Sequence, residues 1–105
     1  MKIGEFEIEE TFKATNIGVI LTGKIIAEKG SVKLAKGDKI SFEFNKRRIT
    51  RQIKGYETGV GRNINLELSH LRNIGILIEC ENDFEVEELS NWKPEKVMAE
   101  LFAER

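Results

Sequence analysis

The sequence predicts a single all-β domain, an antiparallel barrel or sandwich finished by one short C-terminal helix. Apolar and polar residues alternate with period two in several runs, and turns rich in Gly, Asn and Asp fall between them. No helical periodicity appears before the last dozen residues. A length of 105 residues fits one domain, taken as residues 1–105. With 40% hydrophobic and 33% charged residues, the composition is that of an ordered globular chain rather than a disordered tail.

Phe6, Ile8 and Phe12 share one parity, against Glu5, Glu7 and Glu9 on the other. Lys29-Gly30-Ser31 and Lys36-Gly37-Asp38 then read as turns. Ile40, Phe42 and Phe44 alternate with Lys39, Ser41 and Glu43, and Asn45-Lys46-Arg47 turns the chain. In the next strand Ile49 and Ile53 point to the core, and Arg48, Thr50, Gln52, Lys54 and Tyr56 share the opposite face. Arg51 has core parity, which calls for a bulge or for a strand running past the barrel. After Thr58-Gly59-Val60-Gly61, Ile64, Leu66 and Leu68 alternate with Asn65, Glu67 and Ser69. Ile74-Gly75-Ile76-Leu77-Ile78 is apolar on both parities, so a cover is expected on its outside. Residues 94–104 supply one: Val97, Met98, Leu101 and Phe102 form a helical stripe, Pro94 suits the first helical position, and Trp92 with Val97 suits a hydrophobic staple. A helix that short is unstable alone and is expected to pack on the barrel.

Charge and cysteine usage narrow the function classes. Seventeen basic residues oppose eighteen acidic ones, a net charge of -1. The charges are segregated: Lys46, Arg47, Arg48, Arg51 and Lys54 have no acid among them, whereas Glu79, Glu81, Asp83, Glu85, Glu87 and Glu88 form an acidic run. That run reads as a solvated face, since it lacks the glycine-hinged spacing of a calcium loop. The single Cys80 excludes an internal disulfide framework and a cysteine-based metal site. No apolar run approaches the roughly 18 residues a membrane helix needs. The start MKIGEFEIEE carries acids where a signal peptide carries a basic end and an apolar centre, so a cytoplasmic protein is expected.

Phe6-Glu7-Ile8-Glu9-Glu10-Thr11-Phe12 and then Gly18-Val19-Ile20-Leu21-Thr22-Gly23-Lys24-Ile25 resemble the opening strand and the glycine-x-x-x-threonine-glycine strand pair of the second, β-barrel domain of translational GTPases such as elongation factor Tu. Gly30 through Val32 to Gly37-Asp38 is similar to its next hairpin, and Ile53-Lys54-Gly55-Tyr56-Glu57 and Asn73-Ile74-Gly75-Ile76-Leu77-Ile78 to its last core strands. The likeness spans about residues 6 to 80 and implies a closed Greek-key barrel of six or seven strands. In that family the barrel holds the aminoacylated end of tRNA, and the matching wall positions are Glu57 and Asn73; Arg72 stands where the family usually has an acid. Both Glu57 and Asn73 are equally suited to holding turns. The phosphate-cradling GxxxxGK[ST] loop is missing, so the resemblance implies the barrel without nucleotide chemistry and without GTP.

Catalytic candidates are thin. Ser69 and His70 are strand neighbours whose side chains point apart, and Cys80 lies between Glu79 and Glu81, without the electropositive setting of a reactive thiolate. The expected protein is therefore no enzyme, with no metal and no cofactor. The expected function is a non-catalytic binding module contacting RNA or the translation machinery through Arg48, Gln52, Lys54, Tyr56, Glu57, Arg72 and Asn73, where cations track phosphates and Tyr56 stacks a base. The alternative is a protein-interaction or assembly module using the acidic face or the terminal helix.

Overall fold

The period-two runs become strands because alternate side chains leave a pleated strand on opposite faces and only one face can be buried in a barrel. The structure, a computed structural model, describes residues 2–14, 18–26, 32–57, 65–68 and 74–103. Its elements are β1 (Lys2–Lys13), β2 (Gly18–Ile26), β3 (Val32–Ala35), β4 (Lys39–Phe44), β5 (Arg47–Glu57), β6 (Asn65–Leu68), β7 (Ile74–Glu79), α1 (Asp83–Ser90) and β8 (Val97–Phe102). Six strands close an antiparallel barrel in the order β1-β2-β7-β5-β4-β8, and β3 with β6 forms a separate two-stranded ribbon. The core is filled by Phe6, Ile8, Leu21, Ile40, Phe42, Ile53, Ile76 and Leu101 with their neighbours.

Local chemistry sets the turns and registers. Asn45 and Lys46 both adopt positive φ (53° and 63°), the conformation of a two-residue hairpin turn whose twist matches its strands. Gly37 takes φ 101°, and the adjoining backbone is tied to β5 by Gly37 N–H to Ile53 O at 2.9 Å and Ile53 N–H to Asp38 O at 2.7 Å. At Gly23, a Cβ would lie 1.8 Å from the Glu7 carbonyl oxygen, so only glycine lets β2 approach β1 there. The turns expected at residues 29–31 and 58–61 lie outside the described residues.

Three expectations are corrected. Residues 97–102 are the strand β8 and not part of a helix over 94–104; β8 pairs with β1 on one side and β4 on the other and closes the barrel. Val97, Met98, Leu101 and Phe102 fit a helical stripe, but Ala99 and Leu101 are the fully buried pair, and their separation of two is a strand's. The helix instead occupies Asp83–Ser90, within the acidic run. It packs on β1 and β2, so the outward positions of β7, Gly75 and Leu77, stay partly exposed without the helical cover expected there. Finally, Phe12 does not share the parity of Phe6 and Ile8. The β1–β2 register shifts between Ile8 and Glu10, which turns Phe12 outward and leaves it 48% exposed.

Candidate binding surfaces

The basic strand β5 divides between the two sides of the barrel wall. Arg48 and Gln52 are exposed and Lys54 is half-buried. A second register shift, between Ile53 and Gly55, reverses parity beyond Lys54. Tyr56 therefore pairs with Ile76 and is 6% exposed, which corrects its expected place on the face of Arg48, Gln52 and Lys54 and removes it as a stacking platform. The two cations have partners: Arg48 Nη2 meets Glu100 Oε1 at 2.9 Å, and Lys54 Nζ lies 3.8 Å from Glu79 Oε1. Glu100 also takes Lys2 at 3.3 Å, so the outer wall carries a mixed-charge lattice. Glu57 faces Gly75 in the β5–β7 ladder. Arg72 and Asn73 lie outside the described residues, as do Ser69 and His70.

Arg51 explains its own core parity. Its guanidinium grips α1: Nε donates to Glu85 Oε1 at 2.7 Å and Nη2 to Glu85 Oε2 at 2.5 Å, with Glu81 Oε1 at 3.1 Å from Nη2. The Arg51 and Glu85 side chains are only 13% and 10% exposed, so the fork-on-carboxylate pair sits largely out of water. Hydrogen bonding from Arg51 holds the Glu85 carboxyl below its ordinary range against the upward push of burial, and the Glu81 N–H, 3.2 Å from Oε1, adds to the same effect. Cys80 is buried nearby; burial and the negative charge of Glu85 push its thiol up to about 12. This is the opposite of an activated nucleophile.

The rest of the β7–β8 connection is fastened to the barrel. Thr11 Oγ1 donates to the Leu89 carbonyl at 2.7 Å and lies 3.1 Å from that of Trp92. The Trp92 ring stacks on Phe42 at 5.8 Å between centroids and meets Phe44 edge-on at 5.0 Å. Val86 and Leu89 complete the buried side of α1.

Among the described residues the exposed large apolar side chains are Phe12, Phe84 and Met98. Across β1, β2, β7 and β5 the ladder aligns Phe12 with Ile20, Ile20 with Leu77, and Leu77 with Gly55, an outward row in which Ile20 and Leu77 are half-buried. At Gly55 an added Cβ would meet nothing within 4 Å, and its φ is not left-handed, so neither packing nor backbone geometry requires glycine. On α1, Phe84 is 70% exposed, the largest exposure of a large apolar side chain among the described residues. The sequence did hold a signal for α1: Asn82 three residues before Glu85 is the start of a capping pair, and Asn82 Oδ1 does accept the Glu85 N–H at 2.9 Å.

Among the described residues no group of three or more His, Cys, Asp or Glu is placed to hold a metal ion, and no helix is long and apolar enough to cross a membrane. No family model, curated protein or solved structure matches the chain.

Proposed function

We propose that the chain is a non-catalytic binding module, that its barrel is of the Greek-key, translation-factor type, and that its partner is a protein. The strand order β1-β2-β7-β5-β4-β8 supports the barrel type, because its neighbours are non-sequential in the way a Greek key requires. The observation that carries the protein partner is Gly55. A glycine with open space around it and ordinary φ, beside Leu77 in a flat apolar row, suits the close approach of another backbone. The RNA reading keeps Arg48, Gln52 and Lys54, but has lost Tyr56 as its aromatic and shares its cations with Glu100 and Glu79.

A Gly55→Arg variant separates these readings. The open space at Gly55 predicts an unchanged thermal midpoint, while the bulky cation should block a protein contact on the row and strengthen any RNA contact. The expected result is RNase-resistant capture of a partner from native lysate by the wild type, lost with Gly55→Arg. Capture that RNase abolishes, and that Arg48→Glu with Lys54→Glu abolishes while Gly55→Arg does not, would favour the RNA reading instead.

A further inference from the structure

The acidic helix α1 carries features the fold itself does not use. At 3.6 residues per turn, the buried Glu85, Val86 and Leu89 mark one side of α1, and Phe84 stands roughly opposite them. Glu87, Glu88 and Asn91 are brought to the same outer side as Phe84 by the following turns. Phe84 is 70% exposed, so most of its apolar area stays in water in the folded chain. The last turn holds Glu87 and Glu88 and no basic residue, although a helix C-terminus favours cations. Their own partners are peripheral: Lys13 reaches Glu87 at 3.1 Å with that carboxylate side chain still 61% exposed, and Asn45 reaches Glu88 at 3.4 Å. An exposed aromatic flanked by acids that the fold engages only through exposed contacts marks a surface available to a partner.

We propose that this outer crest of α1 docks a cationic protein groove, with Phe84 entering an apolar pocket and Glu87 and Glu88 meeting Lys or Arg at its rim. Charge complementarity selects the occupant. Nucleic acid is repelled by the acids around Phe84. A symmetric second copy would place two acidic crests against each other, an unfavourable meeting of like charges. An aromatic anchor in a desolvated pocket with a charged rim is the usual anatomy of a protein contact. The crest shares no residue with the Phe12–Leu77 row, so the two surfaces stand or fall separately.

The test is an NMR titration of the full chain with leucine–lysine helical peptides, about five turns long, joined as a two-helix hairpin whose lysine-flanked apolar seam models the cationic groove. Saturable shifts are expected on Phe84, Glu87, Glu88 and Asn91, and higher salt should weaken the affinity. Phe84→Ala, and separately Glu87→Gln with Glu88→Gln, should each weaken binding about tenfold or more with the thermal midpoint retained. Equal binding by a lysine-only peptide would reduce the surface to plain charge attraction and overturn the proposal. Shifts centred elsewhere, or unchanged affinity in Phe84→Ala, would also overturn it. So would sedimentation showing a dimer of the free chain that Phe84→Ala abolishes, because the occupant would then be a second copy.

Discussion

Replacing Arg51 by Met should destabilise the protein by about 3 kcal/mol, because removing one partner of a buried ion pair leaves the other charge uncompensated. The magnitude follows from the surroundings of Glu85. Its carboxylate, 10% exposed, accepts two hydrogen bonds from Arg51 and one from the Glu81 N–H. Only the Glu81 N–H and the weak Cys80 thiol remain after the substitution, which points to the range of about 3–5 kcal/mol for a broken buried pair. The lower end is expected because α1 lies at the surface and can tilt Glu85 toward water. Met retains most of the apolar stem, so little of the loss is cavity. For a domain of this size, 3 kcal/mol lowers the thermal midpoint by roughly 12–24 °C. Pairing Arg51→Met with Glu85→Met should recover most of that loss, since apolar residues replace buried ion pairs at little cost. The pH dependence has a definite sign. In the wild type the folded-state pKa of Glu85 is lowered, so its contribution is fully present above the unfolded value, near 4.3, and is lost as pH falls through the folded value. In Arg51→Met burial dominates and raises the folded pKa, so acidification relieves the variant and narrows its deficit. Urea unfolding of wild type, single and double variants at neutral pH and near pH 4.5 measures all of this. A single-variant loss under about 1 kcal/mol, the scale of a surface pair, or a double variant no better than the single, would refute the latch.

Leu101 is fully buried in β8, and Leu101→Ala should cost about 2–4 kcal/mol by chemical denaturation. An unchanged midpoint would mean that β8 is dispensable to the barrel. Gly23→Ala forces a Cβ against the Glu7 carbonyl, so the β1–β2 register should fail and soluble, cooperatively melting protein should not be recovered. With its thiol pushed up to about 12 and buried, Cys80 should react with a disulfide reagent at pH 8 at least about 100-fold more slowly in native than in unfolded protein. Equal rates would show that the thiol is open to solvent.

The barrel was legible where alternation is strict and the strands are unbroken. Ile40, Phe42 and Phe44 are buried as their spacing implies. Parity failed at Phe12 and Tyr56, each just past a bulge, because one extra residue reverses every later side chain and no residue type announces it. The last strand was read as a helix for a different reason. Met98, Ala99, Glu100 and Leu101 are strong helix formers, and only the unpaired edges of β1 and β4 override that preference. Asp83–Ser90 looked like solvent because its acids mask a buried side only three residues deep, Glu85, Val86 and Leu89. Arg48 and Gln52 are exposed as their parity implies, and Lys54, at the bulge, is half-buried.

Arg51 joins the fold to the surfaces it presents. An apolar residue at that position would pack α1 against the barrel just as closely, but apolar contact is non-directional and tolerates rotation of a two-turn helix. The guanidinium fork accepts one carboxylate geometry, from one residue on one side of the helix. Thr11 adds a second directional tie to the Leu89 carbonyl at the other end of α1. Two polar ties at opposite ends fix the rotation of the helix as well as its position. With that rotation fixed, Phe84 faces away from the barrel and cannot turn inward without breaking the Glu85 pair. The buried ion pair thus specifies which face of α1 is shown to a partner, which an apolar contact of similar strength would not do. If that is its role, the double Met variant at positions 51 and 85 should remain folded yet let α1 roll. Hydrogen exchange of the Val86 and Leu89 amides should then accelerate while the core of β2 and β7 stays protected. Unchanged exchange in α1 would show that Trp92, Val86 and Leu89 already orient the helix, and that Arg51 contributes binding strength alone.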